Sequence, residues 1–399
     1  MSKGLQSKIF LVCLFLGFVV ATSPAQTMPP TPPQKPSEPI PRSLKKLKVI
    51  GPPDKPDDQI VSPPDKPQWM KAFPHLERQL GRVSLPVVRG VRLQVDNRTS
   101  GRITVHGWDR DTIEVHAFSD RGEEVVMFAQ SDEDGPKAIF LKADYANLDN
   151  PAAPTEALKL PPLGNEGPIQ VHLEVNLPRY AELELVKVFR SNVEITGVET
   201  PITIIGEGSN LTLKDVGSVE SHTRTGSITV ENARGIADIT SSTGTIRISN
   251  SRGAVRAVSI TGGIEVKCVK GRVDVGNTSG PIELAGIDGD VEVIAASSDV
   301  RFSGTLRSDG RYYLKSMSGR VEMKVPADIR GFNALLTSYR GKVESDFSLR
   351  PKARSQNADT AGHRLSGRFG NGSPEITLDS FQGSVKLSKM ASSSTVSCP

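Results

Sequence analysis

The sequence contains little cysteine. There are three cysteines in 399 residues, and Cys13 lies within an apolar run near the N-terminus. Only Cys268 and Cys398 are left in the rest of the chain, which excludes a scaffold stabilised by several disulfides. Two free thiols are the simpler interpretation, and one bridge is compatible with this count although no pattern supports it, so the pairing stays open.

An excess of either charge is also missing. The chain has 49 Lys and Arg against 45 Asp and Glu, and residues 1–25 contain two of the lysines and no acid. Nucleic-acid-binding surfaces are typically marked by clustered excess basic residues. The near balance therefore predicts that nucleic acid is not a partner.

The sequence lacks the patterns that usually carry catalysis or metal binding. The six histidines show neither H-x-H nor H-E-x-x-H spacing, and neither G-x-S-x-G nor a phosphate-binding glycine loop occurs. The glycine-containing turns described below lack the aspartate of calcium-binding nonapeptide rolls. We therefore predict no catalytic residue, no metal site and no cofactor.

The N-terminus has the layout of a secretory signal peptide. A basic start is followed by an apolar run over residues 9–20 and by the small residues Ser23, Pro24 and Ala25. A membrane-spanning helix needs ~20 apolar residues, more than this run provides. We predict that residues 1–25 are cleaved and that no transmembrane segment is left. Both the periplasm and the cell surface remain open as destinations.

Proline is concentrated in residues 29–67, which hold 13 of the 29 prolines and two copies of PPDKP. Proline fixes φ and lacks an amide donor, so this stretch favours extended polyproline II. We interpret residues 26–88 as a proline-rich spacer that ends in a short capping segment. In that segment, residues 68–80, apolar residues recur at helical spacing. A ligand for a proline-recognising groove is the alternative interpretation.

From residue 89 to residue 390 the apolar residues alternate with polar ones over short runs, as in strands with one buried face. In the centre, a pair of apolar residues flanking one polar residue recurs every nine residues. The pairs begin at Ile228, Ala237, Ile246, Val255, Ile264, Val273, Ile282, Val291 and Val300. Glycines precede the first eight pairs by two residues, at 226, 235, 244, 253, 262, 271, 280 and 289. This regularity indicates a repeat architecture.

The residue before each glycine shows that two kinds of turn alternate. It is a hydroxyl residue in one set, as at Thr243 and Thr261, and a charged residue in the other, as at Arg252 and Lys270. Strands this short bury a core only when coils stack ~4.8 Å apart. We predict an all-β fold, a parallel β-solenoid of nine-residue strand-turn units with 18 residues per coil. Glycine is expected to supply positive φ at each corner. An antiparallel meander is the competing structure.

The polar residue between each apolar pair points outward in this solenoid. Four pairs of opposite charge then become neighbours: Arg247–Glu265, Glu283–Arg301, Asp238–Arg256 and Arg256–Asp274. Two pairs of carboxylates also become neighbours: Glu265–Glu283 and Asp274–Glu292. Paired carboxylates can perform acid–base chemistry, so a carbohydrate-active enzyme on a β-helix is the alternative function.

Three segments carry a resemblance to a known family. They are GRITVHGWDRDTIEVHA (101–117), VHLEVNLPRYAELELVKVFRSNVEITGV (171–198) and GNGSPEITLDSFQGSVKL (370–387). With the G-x-[IV]-x-[VI] series between them, they resemble the bacterial putative adhesin family, envelope proteins with a domain of unknown function. The resemblance implies a β-solenoid-like fold. It implies no reaction and no catalytic residue.

Together these observations predict an exported cell-envelope protein. Its solenoid spans residues 89–390, and residues 391–399 form a disordered tail. We predict an adhesin-like function in which the solenoid is a rigid, non-enzymatic binding or structural surface. The predicted partners are envelope glycans or surface proteins.

Overall fold

The computed structural model describes residues 77–120, 122–130, 138–143, 170–350, 363–390 and 398. These residues form strands and turns, with no helix among them, and all belong to one compact unit. The predicted signal peptide and most of the predicted spacer lie outside the described residues.

The described residues contain 30 strands, arranged in two sheets of 15 strands each. The strands are β1 (Glu77–Leu80), β2 (Arg82–Pro86), β3 (Arg92–Asn97), β4 (Ile103–Trp108), β5 (Thr112–Ser119), β6 (Gly122–Glu123), β7 (Val125–Gln130), β8 (Ala138–Ala143), β9 (His172–Pro178), β10 (Glu182–Phe189), β11 (Asn192–Thr196), β12 (Ile202–Glu207), β13 (Asn210–Lys214), β14 (Val219–Thr225), β15 (Ile228–Glu231), β16 (Ala237–Thr243), β17 (Ile246–Ser249), β18 (Val255–Thr261), β19 (Ile264–Val269), β20 (Val273–Ser279), β21 (Ile282–Ile287), β22 (Val291–Ala295), β23 (Val300–Ser303), β24 (Arg311–Ser316), β25 (Val321–Pro326), β26 (Gly331–Ser338), β27 (Val343–Ser345), β28 (Arg364–Gly370), β29 (Glu375–Ser380) and β30 (Val385–Met390).

The central part of both sheets is built by one continuous winding of the chain. Strands β12, β14, β16, β18, β20 and β22 follow one another in the first sheet, and β13, β15, β17, β19, β21 and β23 in the second. Each strand pairs in parallel with the next strand of its own sheet. The prediction of a parallel β-solenoid is therefore confirmed, and the parallel pairing excludes the antiparallel meander.

The strand register places equivalent residues of the repeat in columns. Ile246 pairs with Ile228 on one side and with Ile264 on the other, so paired residues are 18 apart. Val255 pairs in the opposite sheet with Ala237, also 18 residues away. This interval equals the predicted length of one coil, and it explains why successive nine-residue units alternate between the two sheets.

The inward side chains of both sheets form one contiguous hydrophobic cluster. Ile239, Ile248 and Val266, which the repeat places inward, are each at most 1% exposed. One strand supplies only two or three inward side chains, which are too few to exclude water. The core is therefore continuous only because the coils stack on one another.

At both ends of the solenoid the coils are out of sequence order. In the first sheet β29 lies between β24 and β26, and in the second β30 lies between β25 and β27. At the other end, β3 lies between β8 and β10, and β4 lies between β9 and β11. Antiparallel strands border these end coils: β7 and β1, β5 and β2, and β28. Ile376 of β29 and Val385 of β30 are nine residues apart, as in the repeat, but the insertion of these strands between earlier coils is not visible in the sequence.

The predicted capping segment is only partly described. Residues 68–76 lie outside the described residues, and Glu77–Leu80 form strand β1. The apolar residues of residues 68–80 have helical spacing, but these four residues form a strand. Strand β1 pairs with β7 at the edge of the first sheet. These backbone hydrogen bonds favour the strand, because an isolated helix this short is only marginally stable in water.

The two corners of each coil use glycine for different physical reasons. At the first corner, where the chain passes from the first sheet to the second, Gly244 has a φ of 126°, as predicted. At the second corner, where the chain returns, Gly253 is not among the residues with positive φ. A Cβ on Gly253 would lie 2.1 Å from the carbonyl oxygen of Gly235 in the preceding coil. The prediction that every corner glycine supplies positive φ is wrong here, because this glycine permits close backbone stacking instead.

The register predicts which outward positions can be joined by an engineered disulfide. In a Cys268→Ser and Cys398→Ser background, Arg247→Cys with Glu265→Cys should oxidise readily, because these residues pair on adjacent coils ~4.8 Å apart. Arg247→Cys with Arg256→Cys is the control and should not oxidise, because the two residues lie on opposite sheets. Non-reducing electrophoresis and mass spectrometry measure both. Oxidation of only the control pair would contradict the register.

Candidate functional site

The second corner contains a column of residues in the left-handed conformation. Asp215, Asn232, Asn250, Cys268 and Gly286 have φ between 53° and 64° and recur every 17 or 18 residues. Asn, Asp and Gly tolerate this conformation better than other residues do. An Asp or Asn recurs shortly before the charged residue, and this pattern indicates the left-handed column in the sequence. The sequence-based prediction assigned positive φ to glycine alone and therefore did not include these residues.

A groove runs along this corner, with a cavity volume of about 730 Å³. Its lining includes the left-handed column and the two residues that follow each column member from Asn232 onward, and we call it the corner groove. Buried residues of this lining are Ala233, Ser251, Val269 and Ile287, and exposed charged residues are Asp215, Arg234, Arg252, Lys270, Asp288 and Arg307. A second cavity of about 620 Å³ shares Leu306 with the corner groove.

Four exposed charged residues of the corner groove, Arg234, Arg252, Lys270 and Asp288, are the charged residues that alternate with hydroxyl residues in the repeat. Arg234 forms an ion pair of 2.7 Å with Glu199. Arg252 and Lys270 have no ion-pair partner among the described residues, and Asp288 follows them in the next coil. The groove therefore has two adjacent cations available to a ligand, next to one carboxylate.

The floor of the corner groove contains a buried hydroxyl group without a partner. Ser251 is 1% exposed, and its Oγ has no hydrogen bond among the described residues. The equivalent positions in neighbouring coils are Ala233 and Val269, which have no polar side-chain atom. A buried hydroxyl left unsatisfied costs about 1–3 kcal/mol, and Ser221, Ser259 and Ser298 of other coils are buried in the same way.

A disulfide between Cys268 and Cys398 lies in the wall of the corner groove, with the two Cα atoms 5.3 Å apart. The sequence left the pairing of these two cysteines open, and the structure pairs them. Gly286 makes room for this bridge, since a Cβ there would lie 2.6 Å from Sγ of Cys398. Cys398 belongs to the segment predicted as a disordered tail, and residues 391–397 lie outside the described residues. The partners are 130 residues apart, so no local pattern links them.

The predicted pairs of opposite charge are found on the outer faces of the sheets. Three are ion pairs: Arg247–Glu265 at 3.3 Å, Arg256–Asp238 at 2.9 Å and Arg301–Glu283 at 3.1 Å. The fourth pair, Arg256 and Asp274, is in register, but Asp274 instead contacts Arg272 of its own coil at 2.7 Å. Exposed pairs of this kind contribute a few tenths of a kcal/mol each, so they favour the register more than they stabilise the fold.

The carboxylate pairs that could have supported catalysis are adjacent but neutralised. Glu265 pairs in register with Glu283, as predicted. However, hydrogen bonding to the Lys267 ammonium lowers the pKa of the Glu265 carboxyl. A general acid needs a raised pKa, so the environment of Glu265 is the opposite of what acid catalysis requires.

The second carboxylate pair has the same character. Asp274 and Glu292 are in register, and the Arg272 guanidinium lies within 2.7 Å of the first and 2.6 Å of the second. One cation therefore bridges both carboxylates. Every carboxylate of the two predicted pairs therefore has a cationic partner.

The described residues hold no group of three or more side chains suited to a metal ion. Within the same part of the chain there is also no helix with the length and hydrophobicity needed to cross a bilayer.

Comparison with known proteins identifies the family of this fold. A family model described as Toastrack DUF4097 matches residues 165–388, more than half of the chain. The chain belongs to the Toastrack DUF4097 family. The region that matches contains the central coils, both kinds of corner and the whole corner groove except Cys398.

Two solved structures are similar to this Toastrack protein over most of its length. A putative cell adhesion protein from Clostridium sporogenes is 8% identical, covers 79% of this chain and 100% of its own, and has a TM-score of 0.17. A putative adhesin from Parabacteroides distasonis is 9% identical, covers 78% and 97%, and has a TM-score of 0.24. No curated protein matches the chain significantly.

The Toastrack coils allow a prediction about the titration of Glu265. Its pKa is lower in the folded than in the unfolded chain, so its ion pair stabilises the fold at neutral pH, and this stability is lost as pH falls through the lowered pKa. Lys267→Met should raise the pKa of Glu265 towards that of an ordinary glutamate. Lys324→Met, which removes the partner of Glu322 in another coil, is the matched control and should leave Glu265 unchanged. Carboxyl NMR titration measures both, and equal midpoints in the two variants would contradict the assignment.

Proposed function

We propose that this protein is exported to the cell envelope, where the solenoid is a rigid, non-enzymatic binding surface of adhesin-like type. The observation that carries the proposal is the corner groove, a continuous groove with unpaired cations on a scaffold of stacked coils. Each coil is hydrogen-bonded to both neighbours, so the groove is preorganised for binding. The partners that we propose are envelope glycans.

Export is supported by two independent features. The order of basic, apolar and small residues at the N-terminus is that of a signal peptide. The Cys268–Cys398 disulfide adds support from the folded part, because structural disulfides persist in oxidising compartments such as the periplasm or the cell exterior. In this proposal the proline-rich residues 26–88 are a stiff spacer that holds the solenoid away from its attachment.

Binding is favoured over catalysis by the electrostatics of the outer faces. The adjacent carboxylates of the sheets are held in ion pairs by Arg and Lys. Arg252 and Lys270 in the corner groove have no such pair among the described residues, so they can contact a ligand directly.

Expression of the full chain in a bacterial host, followed by cell fractionation, tests export. We expect the protein in the periplasmic or surface fraction, with a mature N-terminus at Gln26. Recovery from the cytoplasm with Met1 retained would overturn the export part of the proposal.

Screening of the purified mature protein against a glycan array tests binding. We expect retention of at least one class of glycan, with no change in the mass of the bound glycan after prolonged incubation. Cleavage of a bound glycan would favour the carbohydrate-active alternative. Absence of binding to any glycan would remove the adhesin-like assignment.

A further inference from the structure

We propose that the corner groove binds an acidic polysaccharide, with carboxylates of successive sugar units on Arg252 and Lys270. This inference rests on the proposed function, since it names the class of glycan that the groove accepts. It goes further because it assigns the site, the residues that contact the ligand, and the charge that the ligand must carry.

The first argument is charge. Arg252 and Lys270 are exposed, lie one coil apart, and have no ion-pair partner among the described residues. Two cations held side by side repel one another, and an anion between them removes that repulsion. The Arg234 guanidinium at the preceding coil is held by Glu199 at 2.7 Å, so the free positive charge is concentrated at two coils.

The second argument is spacing. The amide of Lys270 donates a hydrogen bond of 2.8 Å to the carbonyl of Ser251, and the amide of Arg252 donates one of 2.9 Å to Ala233. The corner is therefore stacked coil upon coil, with a repeat of ~4.8 Å. Two anionic groups of one extended chain can therefore contact both cations at the same time, since the backbones that carry them are one coil apart.

The third argument is the polar lining next to the cations. The side chain of Asn250 lies half-buried in the lining and makes no hydrogen bond among the described residues. Asp288 adds an exposed carboxylate at the following coil. These groups can donate to and accept from sugar hydroxyls, whereas a simple anion would use only the two cations. The cavity volume of about 730 Å³ is in the range that holds a short oligosaccharide.

Calorimetric titration of the full mature protein with oligogalacturonate tests the proposal, because this polymer carries one carboxylate on each sugar unit. We expect binding that weakens with added salt.

Arg252→Gln and Lys270→Gln should each reduce the affinity about fivefold, the effect of losing one exposed ion pair. Arg320→Gln is the matched control, since Arg320 is an exposed arginine at the opposite corner. It should leave the affinity unchanged. Thermal unfolding midpoints of all three variants should equal that of the parent protein.

The result that supports the proposal is a loss of affinity in the two groove variants and not in Arg320→Gln. Equal affinities in all three variants, or equal binding of oligogalacturonate and polyglutamate, would overturn it. Binding of neutral oligosaccharides without binding of oligogalacturonate would also overturn it, while leaving the proposed adhesin-like function intact. Failure of every glycan to bind would remove both.

Discussion

Gly253→Ala is expected to lower the free energy of unfolding by about 3 kcal/mol or more. The new Cβ would lie 2.1 Å from the carbonyl oxygen of Gly235, and no side-chain rotation can relieve a contact between two backbones. The coils would have to separate, which would break ladder hydrogen bonds such as that from the Arg252 amide to Ala233. Urea unfolding monitored by circular dichroism measures the change.

Gly276→Ala is the matched control for this prediction. Gly276 lies in strand β20, and a Cβ there would only make ordinary contact with Val258 at 3.7 Å. The same substitution should therefore be neutral, or stabilise by about 0.4–1 kcal/mol through the reduced entropy of the unfolded chain. Similar losses of stability in both variants would show that close stacking of the coils is not the reason for the corner glycine.

Cys398→Ser should lower the free energy of unfolding by about 3–4 kcal/mol, because the Cys268–Cys398 bridge closes a long loop. The cross-link limits the unfolded chain, so its removal mainly favours the unfolded state. Addition of dithiothreitol to the parent protein should produce the same shift in the unfolding midpoint, and the variant should not respond to it.

Cys268→Asn with Cys398→Ser tests whether the loss comes from the bridge itself. Asn is suited to position 268, because Asn232 and Asn250 occupy the same left-handed column. The double variant should be no less stable than Cys398→Ser alone, since the second substitution removes nothing further. A clearly additive loss would mean that Cys268 stabilises the fold by packing and not through the disulfide.

The central coils could be predicted because each coil contacts mainly its neighbours. In such a fold the nine-residue spacing of apolar residues is also the spacing of the strands, so Ile228, Ile246 and Ile264 could be assigned to one column from the sequence. The outward ion pairs Arg247–Glu265 and Arg301–Glu283 follow from the same period. Of the candidate site, the sequence indicated only the alternation of charged and hydroxyl residues, in which Arg252 and Lys270 are charged members.

The corner groove itself could not be predicted, since its shape depends on which residue adopts the left-handed conformation. The same glycine period fits a corner where Gly244 has positive φ and a corner where Asn250 does. Only the backbone path distinguishes them. The unsatisfied hydroxyl of Ser251 is likewise a property of the packed corner, since a serine in a turn is unremarkable in the sequence.

The sequence by itself determined the strands, their alternation between two sheets, the coil length and the register, because these depend on contacts that repeat at a constant interval. The tertiary structure decided the features that depend on single contacts between distant parts of the chain. These are the insertion of β29 and β30 between earlier coils, the disulfide from Cys268 to Cys398 and the groove that it borders. The physical reason is that a repeated contact leaves a period in the sequence, whereas a contact made once leaves none.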